Sequence, residues 1–389
     1  MDQPLTCQRD LFTLDEGDIY INCAYMSPQL KSVRAAGVHG IDQKNRPTQL
    51  PPAHFFRPVQ EARELFAQLI NADDYRRISI MPSTSYGMAT AANNIHLARH
   101  EKIVMPGGQF PSNYYSWKGL ADRSGGSLDI IVSPDSGPTK TKDWNGELLQ
   151  AIDQSTKVVT ISHTHWSDGT RWNLDAIRER TSNVGALLII DGTQSIGALP
   201  FDVQRCKPDA VIASCYKWLM GPYSIALGYF GPAFDQGAPI EENWMNRVGS
   251  DNFRALLNYQ EEYRPMAGRY MMGEQSQFVN IPMTITALQQ LLAWQPHRIQ
   301  DYCEFLWLSI KDDLDELGIQ LPIDRAHHLI GLTLPEGTDI ELLQKSLREH
   351  NISVSFRGDI MRVSPHLYNR VSDMRALVEV IKEVSLQMA

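Results

Sequence analysis

Two apolar runs, "ALLIIDG" at residues 186–192 and "DAVIASCYKWLMGP" at residues 209–222, decide how this chain folds. Each is a continuous buried-type run rather than an alternating one, and each ends in a polar residue, Asp191 in the first and Lys217 in the second. Uninterrupted Val/Ile/Leu runs are what a strand shows when helices cover both faces of its sheet. Similar runs recur at 76–82 ("RRISIMP"), 101–106 ("EKIVMP"), 128–134 ("LDIIVSP") and 157–163 ("KVVTISH"). Stretches with helical apolar spacing, such as "GMATAANNIHLARH" and "LDAIRERTSNVG", separate them. The alternation predicts an α/β domain around a mostly parallel sheet, with ligands bound beyond the strand ends. From about residue 290 long amphipathic helices and short strands take over, which predicts a smaller C-terminal α+β domain. The expected division is an arm over 1–20, a large domain over 21–285 and a small domain over 286–389.

The bulk numbers narrow the function classes. The 389 residues are 43% hydrophobic and 21% charged, as in an ordinary globular protein. A net charge of −9 without a basic cluster argues against nucleic acid or an anionic membrane as partner. No apolar run approaches bilayer length, and the acidic start does not read as a signal peptide. The five cysteines, Cys7, Cys23, Cys206, Cys215 and Cys303, form no CxxC pair and are odd in number. Reduced thiols in the cytoplasm are expected.

Lysine at a strand end is ordinarily a solvated surface residue. A lysine whose surroundings make its amine reactive instead forms a Schiff base. Asp191 alone would read as a helix cap or turn residue, but a carboxylate at a strand mouth also pairs with a protonated ring nitrogen. Lysine and carboxylate together are what pyridoxal phosphate needs. Such a cofactor also needs an anion site, and Thr84 and Ser85 of "MPSTSYGMATAANN" open a helix after a strand, where free N–H groups favour phosphate. His163 and His165 in "SHTHWSDG" would suit a metal only with further ligands, and no such motif accompanies them, so no metal is expected.

The segments "STSYG", "GGQFPSNYYSW", "IIDGTQSIG", "SCYKWLMGP" and "MRVSPHLYN" resemble the class V aminotransferase family of pyridoxal-phosphate enzymes, in its kynureninase and cysteine desulfurase branch. The resemblance runs from about residue 18 to the C-terminus. It implies the fold-type I architecture, a large domain with a mostly parallel seven-stranded sheet plus a small α+β domain, working as a homodimer. By it, Lys217 is the Schiff-base lysine and Asp191 the partner of the pyridine nitrogen. Phe110 is the ring stacked on the pyridine, and Tyr216 contacts the phosphate. Asn113 is implied as a polar contact to the ring substituent or the substrate, and Gln194 to the phenolic oxygen or Schiff base. His163 or Asp168 reads as a cofactor contact or as structural, and Trp244 and Ser276 resemble residues that complete the site, in some relatives from a second subunit. Arg362 is implied to hold the substrate α-carboxylate, with Arg357 and Asn280 as companions. The short loop in "FRGDIMRVSP" carries no cysteine, a departure from the desulfurases that speaks against persulfide chemistry. The expected activity is transamination of a small-molecule α-amino acid. Cleavage at Cβ by a lyase or kynureninase-like hydrolase is the alternative, and an epimerase or a non-catalytic cofactor-binding protein is the lesser one.

Overall fold

The computed structural model describes residues 3–133, 143–322 and 325–386. The first strand, β1 (Ile19–Tyr20), stands apart from the main sheet. That sheet is built from β2 (Ile78–Met81), β3 (Lys102–Pro106), β4 (Ser127–Ile131), β5 (Thr156–Ser162), β6 (Leu187–Asp191), β7 (Ala210–Ser214) and β8 (Ala226–Phe230). Its seven strands lie in the order β2-β8-β7-β6-β5-β3-β4. Only β8 runs antiparallel to its neighbours, β2 and β7; the other pairs are parallel.

The apolar runs end where the parallel strands end. β7 is buried at every residue, and β6 at every residue but Leu187. Helices on both faces supply the cover. Leu174–Val184 begins under an Asn173 cap, whose side chain accepts from the Ala176 N–H, and it stops at Gly185 with φ 75°. β8 is the one sheet strand that no quoted apolar run marks. It follows β7 through a tight loop rather than through a crossover helix, and its Gly228 breaks the apolar run. That loop, residues 215–225, holds Lys217. It is closed by the Cys215 N–H on the Ile225 carbonyl (2.9 Å) and the Gly221 N–H on the Cys215 carbonyl (2.9 Å). Met220 and Ser224 sit there at φ 54° and 64°, uncommon for side chains with a Cβ.

The C-terminal part contains β9 (Ile330–Thr333), β10 (Ile352–Ser353), β11 (Ser355–Arg357) and β12 (Ile360–Val363). Strands β11, β12 and β9 form an antiparallel sheet in that order, while β10 pairs with β1. The N-terminal residues are therefore tied to the C-terminal part, as the Gln8 N–H on the Leu367 carbonyl (2.6 Å) also shows. A break after residue 285 falls inside the helix Asn280–Trp294, which packs against Lys31–Lys44 and Arg57–Leu69. We propose the division at Gln295 instead, where φ turns to 65° before the next helix starts at Pro296. Among the described residues no helix is long and apolar enough to cross a membrane.

Candidate active site

Lys217 is buried beside a cavity of about 210 Å³ at the strand ends. Its Nζ lies 5.3 Å from the Phe110 ring centre and 5.4 Å from that of Tyr216. Among the described residues no carboxylate forms an ion pair with it. Burial, and then the nearby Arg362 charge, push its ammonium down to about 8. Asp191, at the end of β6, lines the same cavity, and its Oδ1 accepts from the Thr193 N–H at 2.9 Å. Burial pushes its carboxyl up, against the pull of the Thr193 bonds and Lys217. The opposed shifts describe an amine and a carboxyl that each lack a full charge partner.

One end of the cavity is rich in hydroxyls. The helix Thr84–Asn93 starts there, with Ser83 as its cap accepting from the Tyr86 N–H. The first-turn N–H groups of Thr84 and Ser85 are those a helix leaves without internal partners, at the positive end of its dipole. Thr84 Oγ1 shares hydrogen bonds with Thr193 Oγ1 (3.0 Å) and Ser214 Oγ (2.6 Å), and Ser85 donates to Ser112 at 2.8 Å. Two polar atoms of the cavity lining, Gln109 Nε2 and Ser162 Oγ, are buried without a partner.

At another side stands Trp166. Its Nε1 donates to the Gly108 carbonyl at 2.6 Å, and Phe110 meets its ring edge-on at 5.4 Å. Arg357 and Arg362 lie 5.2 and 6.0 Å from the Trp166 ring centre. Arg362 is 1% exposed; its Nε donates to Ser355 Oγ (3.0 Å) and its Nη1 to the Trp166 carbonyl (2.9 Å). Its Nη2 has no partner. Burial and Arg357 push its guanidinium down to about 10.

The cavity thus gathers Lys217, Asp191, Thr84, Ser85, Phe110, Gln194 and Tyr216. Gln194 is already engaged: its Nε2 donates to the Ala24 carbonyl (3.1 Å), and its Oε1 accepts from Trp218 (2.8 Å). Five residues expected at the cofactor do not line it. Asn113 is sealed in the core, donating to Gln109 and accepting from Trp117 and Thr160. His163 faces away from the cavity, because it follows the inward Ser162 on the strand. Asp168 holds a turn through the Thr170 N–H. Trp244 packs edge-on with Phe56 and Phe253, and Ser276 sits apart in the segment before Asn280–Trp294. Of the residues expected at the substrate, Arg362 and Arg357 stand behind Trp166, and Asn280 bonds Gln277 at the start of its helix. Trp166, Gln109, Ser162, Thr193 and Ser214 were not singled out in the sequence. Gln109, Thr193 and Ser214 lie inside the motifs that carry the resemblance, and Ser162 and Trp166 inside "SHTHWSDG", so membership in those segments is the signal that could find them.

The family model for class V aminotransferases matches residues 43–376. The chain belongs to that family. An uncharacterized aminotransferase of Bacillus subtilis, YcbU, is 24% identical over 82% of each chain. A kynureninase of Burkholderia mallei is 25% identical over 98% of this chain and 93% of its own. Among solved structures, the cysteine desulfurase CsdA of Escherichia coli matches with a TM-score of 0.81 at 17% identity, covering 98% of both chains. The family's enzymes use pyridoxal phosphate, and a mutant of the related-fold protein C-DES has been solved with glycine linked to that cofactor.

The cavity of this family member fits the cofactor. A cationic ring nitrogen beside Asp191 would restore the charge partner its burial denies it. The unpartnered Gln109 Nε2 and Ser162 Oγ offer donors to ring or phosphate oxygens. Phe110 presents a ring above the lysine amine. No cysteine lines the cavity, and burial pushes Cys23 and Cys206 up to about 12, far from thiolate character at neutral pH.

Proposed function

We propose that this family member transaminates a free α-amino acid. The observation that carries the reading is the buried Lys217 amine, its ammonium pushed down to about 8, in one cavity with Asp191. Pyridoxal phosphate, when bound, supplies an aldehyde for that amine and a ring that withdraws electrons from the substrate Cα. Thr84, Ser85 and Tyr216 would hold its phosphate, Phe110 would stack on its ring, and Asp191 would keep its nitrogen charged. Arg362 would take the substrate α-carboxylate on its open Nη2 and so orient the Cα bonds. Trp166, between Arg362 and the cavity, would have to yield or share that contact. With a proton affinity near 8, Lys217 Nζ is suited to accept the Cα proton at physiological pH. Where it puts the proton down decides the product.

Transamination is supported by the relatives named aminotransferases, one of which aligns over 97% of this chain. Cleavage at Cβ is the second reading, favoured by kynureninases that align over 98% of it. We further propose a homodimer in which Trp244, Ser276 and Asn280, absent from the cavity lining of their own chain, complete the partner's site. The half-exposed Trp244 and the exposed Leu257 and Tyr259 support such a contact face. Five unpaired cysteines, four of them buried, support a reducing compartment such as the cytoplasm.

A single-turnover experiment separates the readings. The holoenzyme is mixed with individual amino acids and no second substrate, and products are identified by mass spectrometry. Transamination releases a keto acid stoichiometric with enzyme and leaves the cofactor as its amine. Alanine or another Cβ-truncated product, or a racemised substrate, would overturn it.

A further inference from the structure

The end of β5 separates two cavities. Ser162 lines the one just described, and the next residue, His163, lines a second, more open cavity of about 900 Å³. Its wall carries donors that have found no acceptor. Trp172 is 2% exposed, and its Nε1–H, which can only donate, has no hydrogen-bond partner. His163 is 5% exposed, and its Nδ1 has none either. Leaving such groups buried and unpaired costs free energy, so each asks for an unrecorded partner.

Two arginines, Arg171 and Arg325, stand in the lining of this cavity. The antiparallel bridge between Thr170 and Arg325 brings their two segments side by side at the cavity. Arg171 acts on both His163 and His327, lowering the proton affinity of each, so its charge stands close to both rings. Among the described residues the exposed Arg171 side chain makes no ion pair or hydrogen bond, while Arg325 donates to the Pro322 carbonyl (3.2 Å) and feels the charge of Glu304. The acids of the cavity are mostly committed elsewhere. Asp175 pairs with Arg205, Asp202 caps Val203–Cys206 and accepts from Asn71, and Asp143 is exposed. Glu304, outside the lining, approaches His327 Nδ1 at 3.7 Å.

We propose that this second cavity binds a small oxyanion, a phosphate or carboxylate group, held by Arg171, Arg325 and the Trp172 Nε1–H. A guanidinium pair and an indole donor match acceptor-only oxygens, and His163 supplies a neutral ring beside them. The site stands on the reverse of the catalytic strands: the His163 N–H donates to the Asp191 carbonyl at 3.1 Å. It depends on the fold alone, not on which reaction the enzyme performs.

Calorimetric titration of the holoenzyme with inorganic phosphate, and separately with succinate, tests it, since the cofactor then fills the first anion site. Beyond any succinate bound at Arg362, saturable binding at one site per chain that persists in Arg362→Gln is expected, and the stronger of the two anions at that site identifies the group. Arg171→Gln with Arg325→Gln should weaken it at least about tenfold, and Trp172→Phe about three- to tenfold. Arg362→Gln should leave it unchanged. Arg171 is exposed and Arg325 half-buried, and among the described residues neither has an ion pair to break, so the arginine substitutions remain informative if Trp172→Phe fails to fold. Three results would overturn the proposal: no saturable binding of either anion at millimolar concentration, undiminished binding in the arginine double variant, or loss of binding in Arg362→Gln.

Discussion

The proposed cofactor end and the proposed substrate end of the site are built differently. At the cofactor end Thr84, Thr193 and Ser214 satisfy one another's hydroxyls, and the Thr193 N–H holds Asp191. At the proposed substrate end Arg357 and Arg362 pack against Trp166, no acid among the described residues pairs with either, and Arg362 Nη2 bonds nothing. The contrast follows what each end meets. A resident group rewards donors and charges fixed in advance, because reorganisation is then avoided at every turnover. A group that arrives and leaves must find bonding capacity still open. If the cofactor end is the electrostatic engine, its charge should matter most. Asp191→Asn preserves the shape but removes the charge, and turnover should fall by about a hundred- to a thousandfold. Single-turnover rates with the cofactor content matched between proteins check this. Near-native turnover would break the contrast at its stronger end.

The substrate end should respond less, and in a different constant. Removing one partner of a buried charge pair costs at least about 2 kcal/mol, so Arg362→Ala should lower kcat/KM by about 30-fold or more. Arg362→Lys should restore part of it, since lysine keeps the charge but not the planar fork. A decarboxylated amine should lose little between wild type and Arg362→Ala, while its parent amino acid loses most of its advantage. An unchanged ratio between the two would remove Arg362 from the carboxylate. Arg362 also opposes the Lys217 ammonium, so in the apoenzyme the lysine should titrate above about 8 once that charge is gone.

The two ends also differed in how far the sequence displayed them. Lys217, Asp191, Thr84 and Phe110 stand next to strand ends or helix starts, where local pattern announces a ligand position. Thr193 and Ser214 lie inside quoted motifs, yet their role does not show there, because it exists only once β6 and β7 lie beside the helix Thr84–Asn93. Trp166 is the clearest case. It lines the cavity and touches Arg362 only because residues far apart in the chain meet there. Asn113 misled for the same reason, since its motif neighbours the cavity but its amide is spent on Gln109, Trp117 and Thr160. The helix through residue 285 shows a related limit: a change in pattern marks a new region, but packing decides where the chain divides.

The smallest expected effect asks whether an unpaired group is open for use or merely enclosed. His366 follows Arg362 closely and is 0% exposed, and neither of its ring nitrogens has a partner. Unlike Arg362 it lies within an aromatic shell, with ring centres of Trp218 and Trp294 at 6.0 Å and of Tyr368 at 5.8 Å. Burial, and then His328, push its imidazole from 6.5 down to about 3. Below pH 6.5 the unfolded chain therefore takes up a proton that the folded protein refuses until about pH 3. Stability falls as pH drops through that window, by about 1.4 kcal/mol per pH unit for this one group. His366→Phe keeps an aromatic ring of similar size and discards two polar atoms that bond nothing. At pH 7 to 8, where the histidine is neutral in both states, the change should be within about 1 kcal/mol of neutral or stabilising, since an unsatisfied buried polar atom is itself costly. Between pH 6 and 4 the variant should lose stability more slowly, its slope shallower by one proton. Denaturant unfolding of both proteins across this range measures the slope directly. A large loss at neutral pH would mean that His366, like Arg362, is held for a partner. An unchanged acid slope would mean that the ring is protonated in the folded protein, and the difference between an enclosed group and an open one would then fail at the residue where it is easiest to see.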